Sequence, residues 1–239
     1  MSWLVPQRVH RPEILDDPAT AWELRERSHR DIVISNRWLG GDRALAGGLR
    51  VMLSGGTSPV SVLDLGAGLG AASHVVRDVA AAAGVEARCI AVDLHEALAK
   101  VAAAREGLGV CASALALPFG DGAVDVTICA LLLHHFDEDT CLAVLREAIR
   151  VSRRGVVVAD LQRTRLAEVG LWLASFPLGF HPVSRHDGML SVRRAFTAAE
   201  LHGLMTRAGG RAVHVTKRVG FRLVGTCGTG RVPVAPSPA

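Results

Sequence analysis

The stretch Val60-Ser-Val-Leu-Asp-Leu-Gly-Ala-Gly-Leu-Gly70 constrains the chain most. Val60, Val62, Leu63 and Leu65 form a short apolar, β-rich run that stops at glycine, the pattern of a buried parallel strand. Gly66, Ala67, Gly68 and Gly70 follow as a turn of small residues. The alanine-rich, proline-free segment from Ala71 to Ala83 then reads as a helix. Strand, glycine turn and helix form a nucleotide-binding element, because glycines allow close backbone approach and a helix start offers N–H donors. The anion preference of a helix N-terminus makes a dinucleotide pyrophosphate one candidate ligand. The Gly-x-Gly-x-Gly spacing differs from the Gly-x-Gly-x-x-Gly dinucleotide fingerprint. Asp64 would repel a pyrophosphate, and would suit an amino group held through backbone or water. A strand-to-helix turn with no ligand is the plain alternative.

Asp64-Leu-Gly-Ala-Gly-Leu-Gly70 resembles the first motif of class I S-adenosylmethionine (SAM)-dependent methyltransferases, and the resemblance extends over roughly Val60 to Asp160. From Val60 onward, short apolar runs alternate with helical segments. Strands are expected at 60–65, 88–93, 109–112, 124–130 and 155–160, and helices at 70–83, 95–105, 138–152 and 197–208. Alternation of this kind predicts a Rossmann-like, doubly wound, mostly parallel α/β sheet. Arg211–Lys217 and Phe221–Cys227 are β-like runs about Val219-Gly220, so they form an antiparallel C-terminal hairpin. Ahead of the sheet, helices are expected over Pro18–Asn36, capped by Thr20 or Asp17, and over Asp42–Leu53. The expected organisation is an N-terminal helical cap (1–57), a methyltransferase domain (58–230) with a lid insertion (161–196), and a disordered tail (231–239).

The resemblance assigns the cofactor site, with SAM as the ligand. Asp93, at the end of the second strand, can accept ribose hydroxyls, with a helix-capping role as the alternative. Leu94 flanks the adenine. Ser113, Ala114 and Leu115 occupy the stretch where the family often carries an adenine-reading Asp; here Ser113 stands in that place. Ala130 and Leu131 line the pocket, and Arg37 is the candidate partner of the cofactor carboxylate. His134 and His135, at the exit of the fourth strand, lie where the methyl group is transferred, and one can serve as base. Asp160, at the carboxyl end of the fifth strand, can orient a histidine or pair with Arg163 or Arg165. His186 is a second candidate base. The long 161–196 insertion, with Trp172, Phe176 and Phe180, predicts an apolar, aromatic-lined chamber for a flat small molecule. A core or homodimer-contact helix is the alternative for that stretch.

Asn36-Arg-Trp-Leu-Gly-Gly41, Asp160-Leu-Gln-Arg163 and His186-Asp-Gly with Arg194-Ala-Phe-Thr197 loosely resemble small bacterial enzymes of polyketide, phenolic or quinone metabolism. The function implied is methyl transfer to a small aromatic, polyketide- or quinone-like acceptor, on oxygen before carbon. The alternatives are a non-catalytic SAM-binding partner in a biosynthetic complex, an RNA or protein methyltransferase, and an NAD-dependent oxidoreductase. A net charge of +4 alone favours RNA, whereas the absence of tyrosine and a 4% aromatic content give no stacking platform, so no nucleic-acid partner is expected. Five cysteines without Cys-x-x-Cys spacing suit a reducing, cytoplasmic setting and no metal. No leader and no transmembrane segment are expected.

Overall fold

The computed structural model describes residues 2–17, 19–54, 59–106 and 108–232. A loop is also expected over Gly55–Pro59; its residues 55–58, the expected helix start at Pro18 and the tail from 233 onward lie outside the described residues. Strands β1 (Val60–Leu65), β2 (Ala87–Asp93), β3 (Gly109–Cys111), β4 (Val124–Ala130) and β5 (Ser152–Leu161) pair in parallel. Strands β6 (Arg211–Arg218) and β7 (Arg222–Gly228) form the antiparallel hairpin, with β7 inserted beside β5. The order β3-β2-β1-β4-β5-β7-β6 reverses direction between β1 and β4, which opens a crevice at their carboxyl ends. β5 starts three residues before the expected Gly155, because Ser152 pairs with Val124 across a register shift.

Helices cover both faces. α2 (Gly41–Leu53) and α3 (Ser73–Ala82) bury Leu49, Met52, Val76 and Val79 against Val62, Ile128 and Val157. α5 (Glu138–Val151) and α8 (Ala198–Arg207) bury Leu145, Leu201 and Met205 against Leu63, Leu65 and Val158. Strand side chains alternate between these two layers. α4 (Glu96–Glu106) packs on β2 and β3.

Three helices stand over the carboxyl ends of the strands: α1 (Trp22–Trp38), α6 (Arg165–Ser175) and α7 (Pro182–Arg194). Neither Thr20 nor Asp17 caps α1. Its N-cap is Ala21, with no side-chain bond, while the Asp17 carboxylate takes the N–H of Ala19 instead. α3 begins at Ser73 rather than near Gly70, since Gly70 sits at φ +74°, outside the right-handed helical region. α6 also departs from expectation. Ala167, Leu171 and Ser175 turn inward at four-residue spacing, and Leu166, Val169, Trp172, Leu173 and Phe176 are exposed. No helix among the described residues is long and apolar enough to cross a membrane.

Candidate functional site

A cavity of about 470 Å³ opens at the switch point between β1 and β4. One wall, at the glycine loop, follows from local sequence. Gly66 and Gly68 adopt φ of +68° and +56°, a region costly for side-chain-bearing residues. A Cβ at Gly66 would come within 2.7 Å of Leu132, and one at Gly68 within 2.9 Å of the His29 ring. The loop is pinned to β2: the N–H groups of Gly66 and Ala67 both donate to the Val92 carbonyl, at 2.9 and 3.0 Å. One Asp93 carboxylate oxygen accepts from the Gly68 N–H and the other from the His95 N–H, both at 2.9 Å. Two oxygens offer about four lone-pair sites, so Asp93 retains capacity for a diol.

Asp64 and Asp93 are buried and line the same cavity, together with Gly66, Ala67, Gly68, Leu94, Ser113, Ala114, Leu115, Ala130 and Leu131. Gly70 does not: it sits behind the loop, its N–H bonded to the Ala67 carbonyl at 2.8 Å. The Ser113 hydroxyl accepts from the Leu115 N–H at 3.2 Å. Leu131 holds a left-handed φ of +53° at the exit of β4, the backbone strain often found beside functional sites.

Arg37 requires correction. The cavity face of α1 carries Arg25, His29, Ile32, Val33 and Asn36 at helical spacing, and one residue further the helix has rotated about 100°, leaving Arg37 exposed and outside the lining. Its neighbour Asn36 faces inward, with its carbonyl oxygen buried and unpartnered. His29 packs over Gly68, and burial pushes its pKa down to about 4.

The other wall is assembled from distant segments. A short 3-10 turn, Leu133–His135, carries both histidines into the cavity wall. His134 Nδ1 lies 2.7 Å from Asp160 Oδ1, with both side chains at most 3% exposed. Asp160 also accepts from the backbone N–H groups of His134 and Leu161. Burial alone would raise its pKa, yet His134 and these hydrogen bonds hold it below the usual carboxylate value. An ionised Asp160 fixes the proton on Nδ1 and leaves Nε2 as the basic nitrogen. Nε2 stands 3.9 Å from Glu13 Oε1.

Glu13 was not legible in the sequence, for it lies in a proline-flanked N-terminal segment with no periodic pattern. It is held by the Ser191 hydroxyl at 2.7 Å, and burial raises its pKa. Asp187 accepts the N–H groups of Ile14 and Leu15, which ties this segment to α7. Asp16 takes His135 Nδ1 at 2.9 Å and Arg194 Nη1 at 2.7 Å. Buried Arg194 also donates to the carbonyls of His134 and His135 and so clamps the turn. Ring nitrogens of His134 and His135 and a Glu13 oxygen lie within 4.8 Å of one another, but the Arg194 guanidinium, 3.7 Å from Glu13, already supplies positive charge there.

His186 is a second correction. It is largely exposed, bonds the Asp187 carboxylate at 2.9 Å and does not line the cavity, so it cannot reach a reactant there. The expected aromatic chamber is a third. Phe136 and Phe180 line the cavity, whereas Trp172 and Phe176 stack edge-to-face on the outer side of α6.

The model of a methyltransferase-domain family matches residues 63–159. No curated protein matches the chain in sequence. Among solved structures, the chain is similar to a SAM-dependent methyltransferase from Aquifex aeolicus, at 18% identity and TM-score 0.51, over 80% of this chain and 98% of that one. Human N-acetylserotonin methyltransferase in complex with SAM gives 14% identity and TM-score 0.58, covering 86% and 56%. An O-methyltransferase family 2 protein from Planctomyces limnophilus in complex with apigenin gives 15% and 0.60, covering 90% and 63%. The chain therefore spans only about three fifths of the length of the last two. These likenesses carry the fold. The residues fit the cofactor as well: a glycine cradle that a Cβ would fill, two buried carboxylates on one cavity, and an orphaned Asn36 oxygen suited to an amino group. Residues 63–159 thus match a methyltransferase-domain model, and the chain has the fold of the SAM-dependent methyltransferases to which it is similar.

Proposed function

We propose that this protein transfers a methyl group from SAM to the hydroxyl oxygen of a small, flat acceptor of aromatic, polyketide or quinone type. The observation that carries the reading is the buried His134–Asp160 pair in the cavity wall. Bound SAM supplies an electrophilic methyl group on a sulfonium. In this reading Gly66, Gly68 and Asp93 hold the nucleoside, and Asp64 and Asn36 lie near its amino-acid end. His134 Nε2 accepts the hydroxyl proton as the oxygen attacks. Asp160 keeps the imidazole in the required tautomer and, with Glu13, stabilises the imidazolium formed. A positioned base of this kind contributes about 10²–10⁴-fold. His135, braced by Asp16, orients the acceptor.

Ile32, Val33, Leu45, Leu131, Phe136 and Phe180 supply apolar wall, which suits the flat ring of such an acceptor. In the same reading the segment 1–57 is a cap, and 161–196 is a lid that excludes water, since α1 and α7 both contribute lining residues. The free cysteines, four of them buried, favour a reducing, cytoplasmic setting.

Transfer of label from methyl-labelled SAM to phenols and quinols tests the reading, with His134→Ala as control. SAM binding without transfer to any such acceptor overturns it. The exposed apolar stripe of α6 favours one alternative, a SAM-binding partner docked to other enzymes. That alternative predicts binding without turnover.

A further inference from the structure

Arg222, the first residue of β7, is a cation for which the cavity wall provides no counter-ion. It is 3% exposed and lines the cavity. Its guanidinium donates to two neutral acceptors, the Leu39 carbonyl at 3.5 Å and the Ser35 hydroxyl at 3.2 Å. Burial lowers its pKa to about 10, so it stays charged at neutral pH. The carboxylates that influence it most are committed elsewhere. Asp160 serves His134 and the Leu161 N–H, and Asp42 faces His74 at 3.4 Å. Among the described residues no carboxylate lies within ion-pair distance of Arg222. Guanidinium offers five donors, and those left over have no protein acceptor among the described residues. A charge buried this far is expensive unless something pairs with it.

We propose that Arg222 is the anchor of a carboxylate-binding subsite in this cavity, and that a bound small molecule supplies the anion. This rests on the methyl-transfer reading above and adds a ligand class to it. A guanidinium matches a carboxylate with two parallel hydrogen bonds, which a lysine cannot reproduce. Position bears on the source of the anion. β7 lies three strand spacings from β1, roughly 14 Å along the sheet, with β4, the histidine-bearing exit and β5 between. The nucleoside end of the cavity, at the glycine loop and Asp93, is thus on the far side from Arg222. An acceptor carrying an acid group, held between Arg222 and His134, accounts for that placement. The carboxylate of SAM itself is the other source of the same chemistry, since strand alternation places Arg222 on the sheet face shared by Asp64 and Ala130.

The test is calorimetry on the full chain, with wild type, Arg222→Gln and Arg222→Lys. The nucleoside probes are S-adenosylhomocysteine and 5′-methylthioadenosine, which lacks the carboxylate. The acceptor probes are 4-hydroxybenzoate and its methyl ester, added with S-adenosylhomocysteine present. The expected result is a loss of about 10–100-fold for 4-hydroxybenzoate in Arg222→Gln, with the ester and both nucleosides unchanged. A loss confined to S-adenosylhomocysteine, with methylthioadenosine holding, also supports the subsite and assigns the anion to the cofactor. Wild-type affinity of Arg222→Gln for both carboxylate probes overturns the proposal. So does a wild type that prefers neither carboxylate probe over its carboxylate-free counterpart. Arg222→Lys keeps the charge, and a several-fold loss of the same probe is the readout should Arg222→Gln not fold. Failure of both nucleosides on the wild type is a separate pattern, which sinks the cofactor reading and the subsite with it.

Discussion

The two walls of the cavity are built differently. The proposed cofactor wall is a matter of backbone: glycines in left-handed conformation, N–H groups on the Val92 carbonyl, and one carboxylate at the tip of the next strand. Nearly all of it lies between residues 60 and 131. The proposed acceptor wall is a matter of side chains brought together from separate segments: His134 from the β4 exit, Asp160 from β5, Glu13 and Asp16 from the N-terminal segment and Arg222 from β7, with Arg194 of α7 bracing the turn from behind. A backbone cradle tolerates sequence change outside its few glycines. A side-chain wall can be rebuilt for a new acceptor without disturbing the cradle, which is why one fold serves many substrates.

The largest expected effect separates the walls. His134→Ala should lower kcat by about 10²–10⁴-fold while leaving SAM affinity within a few-fold, as read by steady-state kinetics and calorimetry. Asp160→Asn should approach it in size, since the wrong tautomer would then be held. An equal loss of SAM binding in either variant would merge the two walls.

Next comes His29, the side chain over Gly68. Its folded pKa of about 4 lies below the ordinary 6.5, so between these values the unfolded chain binds the extra proton. Stability should therefore fall as pH drops from about 6.5 towards 4, by on the order of 3 kcal/mol. Urea melts at pH 7 and pH 4.5 check this. The acid sensitivity should shrink in His29→Gln.

Smaller still, Gly68→Ala forces a side chain into a left-handed φ against His29, at about 1–2 kcal/mol. It should weaken SAM binding roughly tenfold by the same free energy, without changing the pH dependence of kcat. Smallest is Leu173→Glu on the outer face of α6. Stability should stay within about 0.5 kcal/mol and turnover should not change, as expected for a surface position. A lost activity there would show that the outer face takes part in the reaction.

What could be read from residues alone follows the same division. The strands of the parallel core, the hairpin and the glycine cradle were legible, because period-2 and period-3.6 patterns and left-handed glycines are written in neighbouring residues. β4 and β1 fell where expected, and Asp64 and Asp93 line one cavity. Arg37 and His186 were misplaced for one physical reason. Which way a helical side chain points depends on what the helix packs against, and a shift of one residue turns it by about 100°. Hence Asn36 faces the cavity and Arg37 does not, and Asp187 is buried while His186 is largely exposed.

Residue order alone thus specified the sheet, its switch point and the left-handed glycine turn, since these depend on local backbone preference and hydrophobic period. The histidine-bearing wall was settled by long-range packing. The partners there come from separate elements, 26 residues apart for His134 and Asp160 and more than a hundred for Glu13 and His134, and only packing in the completed fold brings them within reach.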